Sequence, residues 1–185
     1  MNYDPQKHHR RSIRLLGYDY SRSGAYFITL CVENRECLFG DVVNGEMRLN
    51  ETGRIAAACW KWLAEQYTYV ELDEWVVMPN HLHGIIVIRS ESGDTGRGAS
   101  RRTPTNGPSI SAKIKPLGQL IGAFKIVSTP RINALRGMPG VSVWQRNYYE
   151  HIIRDPDSMN RIRRYIANNP GKWKSDLQNP NNESD

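Results

Sequence analysis

Two β-forming segments, residues 70–78 and 81–88, are separated only by Pro79-Asn80. Two β-forming segments joined that tightly fold back on each other, so residues 70–88 predict a hairpin, the strongest in the chain. Its second run opens with His81-Leu82-His83 and continues into Ile85-Ile86-Val87-Ile88. Strand side chains alternate between faces, so His81 and His83 share one side while Leu82 points into the opposite layer. Two neutral imidazoles side by side can hold a divalent cation and leave positions open for another ligand and for substrate. The same triplet is also compatible with two inert histidines beside a turn, and only the rest of the chain decides between these readings.

Around that hairpin the elements alternate. Residues 25–32 (AYFITLCV) read as a first strand, and short strands are expected at 36–39 and 46–49, joined through the Asn44-Gly45 turn signal. Asn50 or Thr52 caps a helix running to about Gln66, with Ile55, Ala58, Cys59 and Leu63 approximating its apolar stripe. Leu117, Leu120, Ile121, Phe124 and Val127 recur at helical spacing and predict a second helix over 117–128, stopped by Thr129-Pro130. Residues 141–144 are expected as a strand, and the aromatic segment after them leads to Asp155-Pro156. An acidic N-cap followed by proline starts a final helix there, and Asn169-Pro170-Gly171 stops it. This order predicts an α+β, ferredoxin-like sandwich: a mostly antiparallel sheet with helices on one side.

The 185 residues are enough for one domain. We expect a basic arm over residues 1–20, a single domain over 21–177 and a disordered polar tail over 178–185. A Gly/Ser/Thr/Arg-rich stretch at about 90–111 reads as a flexible excursion within the domain. The net charge of +6 is clustered, with Arg10, Arg11 and Arg14 in the arm, Arg97, Arg101 and Arg102 in the excursion, and Arg154, Arg161, Arg163 and Arg164 near the end. Such clusters point to a polyanion, nucleic acid before anionic membrane. No apolar run is long enough to span a bilayer and no signal peptide is visible, so a cytoplasmic protein is expected. Cys31, Cys37 and Cys59 are odd in number and lack metal-site spacing, which suits reduced thiols.

On the last helix Met159, Ile162 and Ile166 form the core-facing stripe, with Tyr165 at its edge and Asn169 one turn beyond, so tyrosine and amide share a face. With these residues in view, residues 75–83 (WVVMPNHLH) resemble the His-hydrophobic-His motif of the single-tyrosine HUH transposases. Residues 10–20, 144–155 and 165–170 resemble, more narrowly, the REP-associated tyrosine transposases. The resemblance implies the HUH endonuclease fold and a nickase and strand-transferase that cuts single-stranded DNA beside a hairpin through a covalent 5′-phosphotyrosine. It makes Tyr165 the nucleophile, His81 and His83 metal ligands, and Asn169 the polar helix residue that completes or supports the site. Two nitrogens and an amide oxygen suit Mn²⁺ or Mg²⁺. Its partner would be single-stranded DNA carrying a hairpin, bound by a monomer or homodimer, with no membrane involved.

Two other readings stay open on the residues alone. A non-catalytic nucleic-acid-binding module would need the basic clusters but neither histidine, and a small metallohydrolase would need the histidines but not Tyr165. Tyr148 and Tyr149 rank below Tyr165 as nucleophiles because they precede the helix. His151, the one remaining histidine outside the charged N-terminus, either approaches DNA or buttresses the sheet.

Overall fold

A computed structural model describes residues 19–89, 114–176 and 178–180. The expected DNA contacts Arg10, Arg11, Arg14, Arg97, Arg101 and Arg102 lie outside the described residues, as do nearly all of the expected arm, the excursion and the end of the tail. In chain order the elements are β1 (Gly24–Cys31), β2 (Gly40–Val43), β3 (Glu46–Leu49), α1 (Glu51–Gln66), β4 (Val70–Val77), β5 (His81–Ile88), α2 (Leu117–Arg136), β6 (Tyr149–Ile153) and α3 (Pro156–Ala167).

Strands β4-β5-β1-β6 form an antiparallel sheet, and β2 and β3 pair separately as a ribbon. The α+β architecture with its antiparallel sheet is the expected one. The hairpin at 70–88 forms as its pattern requires, and β5 lies inside the sheet between β4 and β1. The ribbon turns at Asn44 (φ 54°) and Gly45 (φ 79°), where two successive positive φ values select an Asn-Gly pair. Asn50 caps α1 by accepting from the Gly53 N–H at 2.9 Å.

One detail of the layering differs from the expectation. Helices α1 and α2 share one face of the sheet, over Tyr26, Ile28, Leu30, Leu82 and Ile86. Helix α3 lies on the other, where Ile166 meets Phe27, Ile85 and Ile153, with Met159 and Ile162 partly buried beside them. Alternation puts apolar residues on both faces of β1 and β5, so each face needs a cover, and the stripe on α3 supplies the second.

Three local expectations are corrected. Residues 36–39 are not a strand; β2 begins at Gly40 (φ 126°). The backbone of Leu38 and Phe39 is taken up elsewhere: Leu38 O accepts from Asn50 Nδ2 and the Thr52 hydroxyl, Phe39 O from Asn50 N, and Phe39 N donates to Pro79 O. Helix α2 does not stop at Thr129 but runs through Pro130 to Gly137 (φ 65°). Proline frees the Ile126 carbonyl and costs about 3 kcal/mol in a helix interior. Continuing the helix buries Ile132 and lets Asn133 Nδ2 reach Val141 O at 2.6 Å, which offsets that cost. Residues 141–144 make only an isolated bridge, Val32 to Trp144, and the sixth strand is Tyr149–Ile153. Between the pairs Val32–Trp144 and Thr29–Tyr149 the chain leaves β1 in a bulge, where Lys125 Nζ donates to Gln145 O (2.6 Å) and Arg146 O (3.2 Å).

Candidate active site

The site occupies the α3 face of the sheet. Register places Thr29 opposite His83 and Cys31 opposite His81, and alternation turns all four toward α3. Both imidazoles are buried, and their Nε2 atoms stand 3.1 Å apart. His81 Nδ1 lies 2.9 Å from Asn80 Oδ1, and His83 Nδ1 lies 2.8 Å from the Thr29 hydroxyl.

These contacts constrain the protons. Asn80 Nδ2 donates to two carbonyls, Arg35 O at 3.0 Å and Gln178 O at 2.6 Å, so the amide cannot be reversed and Oδ1 is the atom facing His81. His81 therefore carries its proton on Nδ1 and presents a bare Nε2 to the site. The Thr29 hydroxyl either gives or takes a proton, so His83 is free to present either form of Nε2. Two bare nitrogens do not face each other at 3.1 Å without a proton or a cation between them. Cis ligands of a small divalent cation, with metal–nitrogen distances of about 2.1 Å, stand about 3 Å apart.

Helix α3 brings the tyrosine. Asp155 accepts from the Ser158 N–H at 2.7 Å, and Pro156 occupies the first turn. At the other end, Arg163 grips Asp73 on β4 with two bonds of 2.7 Å. Tyr165 is 44% exposed, with its hydroxyl 3.3 Å from His83 Nε2, and Asn169 is buried below it. The expected set of His81, His83, Tyr165 and Asn169 is thus brought together from β5, α3 and the start of the turn just after α3, while Tyr149 stands on edge strand β6 and Tyr148 in the bulge before it. His151 is exposed on β6, opposite Phe27 and outside the cavity that His83 and Tyr165 line.

A residue not anticipated from the pattern completes the cluster. After α3 a 3-10 turn over Pro170–Ser175 leads to Asp176, whose carboxylate gathers with His81 and His83 so that the three ligand atoms lie within 4.8 Å of one another. These three side chains can hold a metal ion. Asn169 Oδ1, buried and without a hydrogen-bond partner among the described residues, lies beside the same cluster and fits a cation better than it fits a dry cavity. No periodicity marks Asp176; its position depends on the turn, on the Asp176 N–H to Trp173 O bond (3.1 Å) and on Asn80 holding Gln178.

Burial pushes the pKa of His81 down, partly opposed by the Asp176 charge and the Asn169 amide. Burial and the neighbouring His81 push His83 well down. Both imidazoles are therefore neutral, as metal ligation requires. Burial, then the Asp176 charge, pushes the Tyr165 phenol up, against a smaller opposing effect of Asn169. The protein alone does not favour the phenolate, so a positive charge at the His81–His83–Asp176 cluster would have to supply that help.

A cavity of about 550 Å³ opens beside Tyr165, His83, Asn169 and Asp176, walled by Phe27 and by the bulge residues Gln145, Asn147 and Tyr148. Among the described residues no helix is long and apolar enough to cross a membrane. Cys31, Cys37 and Cys59 are free thiols.

No sequence-family model matches the chain. An uncharacterized protein of Haemophilus influenzae is 43% identical over 180 residues, covering 94% of this chain and 95% of the relative. Among solved structures, a REP-associated tyrosine transposase bound to a REP hairpin superposes with a TM-score of 0.55 at 18% identity, covering 86% of this chain and 74% of that one. The chain belongs to one family with the Haemophilus influenzae protein, and its fold, with a His-hydrophobic-His pair on the central strand, is that of the REP-associated tyrosine transposase.

Proposed function

We propose that this protein is a metal-dependent nickase and strand-transferase for single-stranded DNA, acting beside a hairpin through a phosphotyrosine intermediate. The observation that carries the reading is the Tyr165 hydroxyl 3.3 Å from His83 Nε2, itself 3.1 Å from His81 Nε2, at the edge of an open cavity. The solved relative in fold holds a DNA hairpin, and a DNA strand is the substrate that this basic chain suits.

His81, His83 and Asp176, with Asn169 beside them, would hold Mn²⁺ or Mg²⁺. When bound, the cation supplies charge neutralisation at a phosphate and favours the phenolate. The chain does the rest. Helix α3 holds Tyr165 at the cavity rim, with Phe27 edge-on to the Tyr165 ring at 5.9 Å fixing its plane. Tyr165 Oη attacks phosphorus, the Tyr–O–P bond forms as the P–O3′ bond breaks, the phenol proton passes to water, and the departing 3′-oxygen takes one up. The new ester conserves the energy of the old one, so a DNA 3′-OH can reverse the step without ATP. We place Arg10, Arg11, Arg14, Arg97, Arg101 and Arg102 on DNA phosphates. Neutralising any one of these arginines should flatten the slope of log affinity against log salt by roughly 0.7–0.9.

The test uses a hairpin-bearing single strand with Mn²⁺. Wild type should give a denaturation-resistant adduct on a 5′ phosphate with a free 3′-OH, and Tyr165→Phe should bind the strand without forming it. Undiminished cleavage by Tyr165→Phe overturns the assignment.

A further inference from the structure

Asn80 stands at a junction that the proposed chemistry leaves without a role. It is 1% exposed, and its amide makes three bonds to three parts of the chain: Oδ1 to His81 Nδ1, Nδ2 to Arg35 O, and Nδ2 to Gln178 O. Each has a different consequence. The two carbonyls can only accept, so they lock the amide's orientation, which leaves Oδ1 as an acceptor that fixes the His81 tautomer and the plane of its ring. The bond to Gln178 holds the turn that carries Asp176, two residues earlier, against the histidines.

We infer that Asn80 is the positioning residue of the metal centre, setting His81 Nε2 toward the site through Oδ1 and anchoring the turn that delivers Asp176 through Nδ2. The inference rests on the metal-site reading above. Side chains that hold the distal nitrogen of a ligating histidine typically contribute 10- to 100-fold to metal affinity. Asn80 joins that function to a second ligand 95 positions away in the sequence, counting from His81 to Asp176. Asparagine is suited to the place because it offers one acceptor and two donors on one short planar group. Aspartate keeps the acceptor and loses both donors, which makes it the discriminating substitution.

The experiment measures Mn²⁺ affinity of the full chain by calorimetry, together with the nicking rate across a Mn²⁺ series and the melting temperature in chelator. Asn80→Ala should bind Mn²⁺ about 10- to 100-fold more weakly, with nicking largely restored at saturating Mn²⁺. Asn80→Asp should recover a substantial part of the lost affinity although it, too, frees the turn. In metal-free wild type, ¹⁵N spectra of the imidazoles should show His81 protonated on Nδ1, a readout that needs no variant to fold. Unchanged affinity in Asn80→Ala, or a His81 protonated on Nε2, overturns the assignment. Equal losses in the alanine and aspartate variants also overturn it, reducing Asn80 to a pin for the turn. Wild type that binds no Mn²⁺ overturns both this inference and the metal centre. Wild type that binds Mn²⁺ but nicks no DNA removes the nickase reading and leaves Asn80 supported by the affinities.

Discussion

The two faces of the sheet are built from the same strands and differ in what they bury. On the face under α1 and α2, Phe124 packs edge-on to Trp60 at 5.4 Å and against Trp144 at 5.1 Å, and Trp144 reaches Phe39 at 5.2 Å. Some of its polar groups are satisfied locally: Trp144 Nε1 donates to the Ser128 hydroxyl at 2.9 Å, which donates to Phe124 O at 2.8 Å, whereas Trp60 Nε1 and Asn133 Oδ1 are buried with no hydrogen-bond partner among the described residues. The face under α3 has a core of four buried apolar residues, Phe27, Ile85, Ile153 and Ile166, and beside it buries His81, His83 and Asn169. Burying polar groups costs stability unless each finds a partner; both faces leave such atoms among the described residues, and what sets this face apart is that its orphan, Asn169 Oδ1, lies with the imidazoles at an open cavity. The first face holds the fold together, and the second spends part of that stability on a polar cluster open to a cavity.

If that division is right, substitutions on the two faces should separate activity from stability. The largest effect is expected at His83→Ala. Nicking should fall by more than the roughly 100-fold typical of residues one shell out from a metal. Melting in chelator should stay close to wild type, because the ring removed was a buried polar group against Phe27. A variant that nicks normally, or one that fails to fold, breaks the comparison from this side. From the other, Phe124→Ala should cost about 3–5 kcal/mol by chemical denaturation while leaving Mn²⁺ affinity of the folded fraction unchanged.

Gly84 tests whether the faces are independent. It follows His83 and turns toward the other side, where a Cβ would meet Trp60 Cζ2 at 2.6 Å and the Trp75 Cβ at 3.2 Å. Gly84→Ala must therefore push β5 toward the site or displace the Trp60 ring, at a cost of about 1–3 kcal/mol. Calorimetry with Mn²⁺ distinguishes these: weakened binding means that the strand moved and the faces communicate, and unchanged binding means that Trp60 yielded.

Legibility in the sequence divides along similar lines. The hairpin at 70–88, the Asn50 cap and the Asp155-Pro156 start are local signals, and each element formed where its signal stood. Strand and helix periodicities placed His81 with His83 and Tyr165 with Asn169 on shared faces, since periodicity fixes the face of a residue without knowledge of the fold, whereas the roles expected of these residues came with the resemblance to the REP-associated tyrosine transposases. Three features depended on distant partners. The passage of α2 through Pro130 depends on burial of Ile132, and the bulge before β6 depends on Lys125 binding the Gln145 and Arg146 carbonyls. Asp176 sits in an aperiodic turn held by Asn80, almost a hundred residues before it. The second covered face was implicit in the continuous apolar run of β5, since a strand apolar on both sides needs two covers.

The smallest effect expected is on acid stability, and its sign follows from burial. The pKa of His83 in the fold lies well below its ordinary value of 6.5. Above pH 6.5 the imidazole is neutral in both folded and unfolded chains and imposes no pH dependence. As pH falls below 6.5 the unfolded chain takes up a proton that the folded chain refuses, so stability declines until the lowered folded pKa is reached. At pH 5.5 the loss from one such histidine is at most about 1.4 kcal/mol, the free energy of protonating the unfolded imidazole. His83→Gln keeps a neutral polar side chain and removes the titration. Denaturation in chelator at pH 7.5 and 5.5 should therefore show wild type losing more stability than His83→Gln, by no more than that amount. Equal losses would mean that His83 takes up its proton in the folded chain as readily as in the unfolded one, and that this face is far wetter than the one under α1 and α2.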